Sequence, residues 1–73
     1  MEREQLLAVK KSELMQVEQI GANLKLIYDK TLLLYKEGRT TYTEVDKSFL
    51  EWQMILVEIE SMKLNYEKIK LHQ

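Results

Sequence analysis

The chain has no cysteine and no proline, and among its 73 residues only two are glycine, Gly21 and Gly38. Without cysteine there are no disulfides and no thiolate metal sites, and the redox compartment leaves no trace. With proline absent and glycine so scarce, long uninterrupted helices are the expected form. No charge sign dominates: twelve acids against eleven bases give a net charge of −1, which offers no electrostatic case for nucleic acid. No run of eighteen apolar residues exists, so no membrane span is expected. The opening "MEREQLLAVKKSE" mixes acids with bases and has no apolar stretch of signal-peptide length. As given, the chain carries no export signal, a reading that holds only if Met1 is the natural start.

What is present is helical periodicity. Apolar or semi-apolar residues recur at Leu7, Leu14, Val17, Leu24, Tyr28 and Tyr35, close to a heptad register. Further rows run through Ile20, Ile27 and Leu34, and through Met15, Ala22, Leu26 and Leu33. In the second half Val45, Phe49, Trp52, Leu56, Ile59, Met62, Tyr66 and Ile69 follow one another at steps of three or four. A second row there, Leu50, Met54, Val57, Ser61, Leu64 and Leu71, is also nearly heptadic. Two stripes on one helix imply two neighbours.

Between the two periodic segments lies "YKEGRTTYTEV", residues 35–45. Gly38 suits the left-handed position just past a helix end, and Lys36 sits where the helix dipole favours a cation. Thr41 with Glu44 fits a capping box that would start the next helix, with Thr43 as a competing cap. The expected fold is therefore all-α: an antiparallel two-helix coiled-coil hairpin with helices at about residues 2–37 and 42–71 and a turn at 38–41. Each helix would be about 50 Å long at roughly 1.5 Å per residue. A two-helix rod has little interior, so it is expected to pack with further helices, on other chains or on other parts of a larger parent.

Reactive constellations are not apparent. The single histidine, His72, adjoins the C-terminus and reads as a tail residue. Glu58 and Glu60, two apart, fall on different faces of a helix. Lys10 and Lys11 make too small a patch for a nucleic acid or membrane. Gly38 stands alone and forms no phosphate-binding loop. No cofactor, metal or catalytic residue is expected.

The spacing of tyrosine, glycine, a threonine-rich turn and an acid followed by valine, with the long helix ending in "SMKLNYEKIKL", resembles the outer-membrane efflux proteins of the TolC type. The similarity runs from about Tyr35 to Leu71, with Leu6 to Lys36 as the preceding helix. It covers most of this chain and a small part of a family member, which also has barrel strands and a second helical repeat. The resemblance implies a periplasmic hairpin of a parent in the outer membrane, where three chains form a tube of helices. It also implies partners: a periplasmic adaptor protein and, indirectly, an inner-membrane pump. Gly38 would match the tip glycine, and Arg39, Thr40 and Thr41 would belong to the adaptor-facing turn. Tyr35 would match a tyrosine placed to hydrogen-bond to a neighbouring hairpin. Glu44 would match the first of two acidic positions at the tunnel entrance. At the second stands Lys47, so an acidic, cation-selective entrance is in doubt, and Glu44 and Lys47 could pair at i,i+3 instead.

The alternative is a small cytoplasmic interaction protein whose hairpins dimerise into a four-helix bundle. Alone, the chain is expected to self-associate, as a defined dimer or as a mixture.

Overall fold

The computed structural model describes residues 2–71; Met1, His72 and Gln73 lie outside the described residues, and with them the readings made on Met1 and His72. Two helices, α1 (Glu2–Lys36) and α2 (Tyr42–Leu71), fold back on each other as an antiparallel hairpin. No strand occurs among the described residues. The rod measures 55 × 14 × 11 Å, one helix pair long and a single layer thick.

Why the chain reverses at residues 37–41 can be followed bond by bond. The Arg39 N–H donates to the Leu34 carbonyl at 2.8 Å and the Gly38 N–H to the Tyr35 carbonyl at 2.9 Å. Together they make a Schellman motif, which satisfies the last carbonyls of α1. That motif needs a left-handed residue, and Gly38 supplies it with φ of 72°. At the other side of the turn the Glu44 N–H donates to Thr41 Oγ1 at 3.3 Å, so Thr41 is the N-cap of α2. Thr43 falls inside the first turn of the helix.

Packing follows a strict seven-residue period. On α1 the residues turned toward the partner helix are Leu7, Lys10, Leu14, Val17, Gly21, Leu24, Tyr28 and Thr31. On α2 they are Val45, Ser48, Trp52, Ile55, Ile59, Met62, Tyr66 and Ile69. Both series alternate steps of three and four, as a coiled-coil seam requires. The seam departs from the row read off the sequence at two places. Ser48 and Ile55 occupy seam positions, while Phe49 is 38% exposed and Leu56 half-buried. One residue is a rotation of about 100°, so both side chains flank the seam instead of filling it. Ser48 fits because its hydroxyl donates to the Val45 carbonyl at 2.8 Å within its own helix. Thr31 does the same toward the Ile27 carbonyl at 2.7 Å. Small side chains thus stand near the turn, where a short connection holds the helices together.

Farther along, Gly21 brings α1 close to α2. A Cβ at that position would lie 2.9 Å from Ile59 Cδ1 and 3.6 Å from Ile55 Cγ2. The missing side chain is the space that Ile59 fills. Between this contact and the turn sits an aromatic cluster. Tyr28 stacks on Trp52 at a centroid distance of 5.6 Å, and Phe49 approaches Tyr28 at 5.5 Å. Lys25 Nζ lies 5.2 Å from the Trp52 ring centre and also pairs with Asp29 at 2.6 Å. Such edge-sited aromatics stabilise the pair beyond their buried area by roughly 0.5–1.5 kcal/mol each.

Candidate interaction surfaces

Two parts of the hairpin carry exposed aromatic or apolar side chains: the turn and the outward faces. At the turn, the Tyr35 and Tyr42 rings meet edge to face at 5.9 Å, bridging the ends of the two helices. Tyr35 is 42% exposed and Tyr42 65% exposed, so this pair presents aromatic surface at the tip. Gly38 faces open space, with nothing within 4 Å of where a Cβ would stand. Arg39 is exposed and held by its backbone bond to Leu34, and Thr40 is half-buried. The turn therefore has a fixed backbone and a projecting cation.

Glu44 and Lys47 lie one step behind the tip and line a shallow groove with Ile27, Thr31, Ser48 and Glu51. The i,i+3 ion pair between them is not formed. Glu44 contributes its backbone N–H to the cap and leaves its carboxylate in solvent. Of the other packing candidates, Val45 and Ile59 are buried, and Trp52 and Tyr66 are half-buried in the seam. The turn candidates Gly38, Arg39, Thr40 and Thr41 are brought together by the fold, while Tyr66 lies at the opposite end of the rod.

The outward faces are apolar to an unusual degree. On α2, Leu50, Met54, Val57, Leu64 and Leu71 are 52%, 72%, 71%, 64% and 80% exposed. They occupy positions opposite the seam. On α1, Met15, Ile20, Leu26, Ile27 and Leu33 are also exposed. The chain leaves 5885 Å² accessible to solvent. A globular protein of 8.8 kDa would expose about 4,800 Å². The excess, on the order of 1,100 Å², is comparable with one partner's share of a protein–protein interface, about 800 Å².

Three residues that matter here carry little signal in the sequence. Tyr42 stands beside the cap, Ser48 is polar, and the role of Gly21 depends on Ile59, thirty-eight positions away. Only the tyrosine's placement seven residues after Tyr35, across a turn, carried a usable signal.

For chemistry the surfaces offer little. No three histidine, cysteine, aspartate or glutamate side chains converge among the described residues. No helix among them is long and apolar enough to cross a membrane. Ionic contacts are peripheral: Lys63 reaches Glu18 across the helices at 3.8 Å with both side chains about half exposed, a pairing worth little in water. Comparison with known proteins finds no family model that matches the chain, and no similar curated protein or solved structure.

Proposed function

We propose that the hairpin is a non-catalytic assembly element, the periplasmic tunnel-wall hairpin of a TolC-type efflux channel, whose turn docks an adaptor protein. The observation that carries this reading is the pair of apolar rows facing away from the seam on both helices. A helix in a closed tube needs neighbours on two sides, and both helices offer a second side. Support also comes from the turn, where an open glycine, a projecting arginine and two tyrosines make a defined tip. In this role α1 and α2 form wall, residues 38–41 meet the adaptor's own hairpin, and transport is driven by a pump elsewhere in the assembly. Opening would be a sliding of packed helices.

Surface plasmon resonance of the chain against the helical hairpin of periplasmic adaptors tests the docking role. Arg39→Glu and Thr40→Lys, which leave both helix caps in place, are expected to weaken binding at least tenfold with circular dichroism unchanged. Unchanged affinity in both variants would remove the turn from the interface and the reading with it.

A second reading, a homodimeric four-helix bundle, is favoured by one surface that both helices share. Leu32, Phe49 and Leu56 lie along the same flank of the seam, beside Trp52. Two hairpins could close on that flank, and sedimentation equilibrium of the chain would then give a tight dimer at low micromolar concentration.

A further inference from the structure

On α2 the row of Leu50, Met54, Val57, Ser61 and Leu64 keeps the alternation of four and three for two heptads, with Lys68 standing between it and Leu71, and it points away from α1. The rows on either side of it have one chemistry. One side carries Glu44, Glu51, Glu58 and Asn65; the other carries Asp46, Gln53, Glu60 and Glu67. All six of these acids are exposed, and none is in an ion pair with another described residue. No base interrupts either row. We propose that this face is a second coiled-coil seam, made for a partner helix with an apolar heptad core and lysine or arginine on both flanks.

Charge decides against the nearer occupants. Two α2 faces set together would bring acidic flanks against acidic flanks, whether parallel or antiparallel. The outward face of α1 is no better matched: the rows beside it carry Met15, Ala22 and Asp29 on one side and Ile20, Ile27 and Leu34 on the other, and so offer no bases to the acidic flanks of α2. A basic-flanked helix leaves no such conflict, because flanking charges in a coiled coil set partner choice more than strength. From Leu50 to Leu64 the apolar row runs about 21 Å, room for two heptads of partner, and Lys68 follows before Leu71. The inference shares the outward row of α2 with the efflux reading but not the turn, so the peptide test can fail while adaptor docking at residues 38–41 stands, and the reverse.

The full chain can be tested with two synthetic four-heptad peptides of identical isoleucine–leucine core, one with lysine at the flanking positions and one with glutamate. A third peptide keeps the lysines and scrambles the core. By fluorescence anisotropy the lysine peptide is expected to bind at least tenfold more tightly than the other two. The preference over the glutamate peptide should shrink in 1 M salt, where the Debye length falls to roughly 3 Å. Val57→Lys with Leu64→Lys should abolish binding while helicity is retained, and Glu51→Lys with Glu58→Lys and Glu60→Lys should reverse the preference. Equal binding of the lysine and glutamate peptides, or binding of the scrambled one as tightly as the first, would overturn the proposal. So would an oligomer of the chain that Val57→Lys and Leu64→Lys dissociate but neither cored peptide displaces, since a second copy would then cover the face.

Discussion

The two glycines are there for different reasons, and substitution separates them. Gly38 has open space around it but a φ of 72°, so an alanine there meets no atom and is strained by its own backbone. Gly38→Ala is expected to lower stability by about 1 kcal/mol in urea denaturation. Gly38→Asn should lose less, because asparagine tolerates the left-handed region. A neutral Gly38→Ala would contradict the strain argument. Gly21 has ordinary helical backbone and a crowded front. Alanine would gain about 1 kcal/mol in helix propensity, but its Cβ would stand 2.9 Å from Ile59 Cδ1. Because that atom ends a side chain, it can move, and Gly21→Ala alone should shift stability by less than about 1 kcal/mol. The pairing shows in a double-mutant cycle. Ile59→Val should cost about 1 kcal/mol in the native chain and close to nothing beside alanine 21. Additive effects would mean the two residues do not meet.

At the scale of the helices, ends matter as much as faces. α2 begins on one side-chain cap, and Thr41→Ala should cost about 1 kcal/mol, seen as a lowered urea midpoint with an unchanged slope. An unchanged midpoint would show that Glu44 N–H is satisfied equally well by solvent. These ends were legible beforehand, because glycine after a run of helix formers and threonine before acids act through local backbone chemistry. The faces were legible only as a sum. Two apolar rows on α2 could be counted from the sequence, but hydrophobicity selects Phe49 where geometry selects Ser48. A seam position is defined by distance to the partner backbone, and a small hydroxyl that bonds its own helix fits where a ring does not. The turn's candidate residues were legible as a turn. Which of them touches anything depends on a partner, and a single chain does not encode the partner's shape.

As a whole, the molecule is long and thin. Its buried side chains amount to Val45, Ile59 and Ser48 among the described residues, so it lacks the interior that stabilises small domains. Its stability is then linked by mass action to whatever covers the outer rows. Helicity at 222 nm is expected to fall on dilution through the micromolar range and to return when the lysine-flanked peptide is added. A signal independent of both would mean that one seam suffices.

The connection at residues 37–41 also gives the rod a direction in time. Contacts nest outward from it: Tyr35 meets Tyr42 across seven positions, Tyr28 meets Trp52 across twenty-four, and Glu18 meets Lys63 across forty-five. Closing a short loop is fast and each longer one adds only a small entropic penalty. The hairpin is therefore expected to zip from the turn toward its open end and to unzip from the open end first. Whatever grips the turn would then meet the part of the chain expected to open last, and whatever lies against Leu7 and Ile69 the part expected to open first.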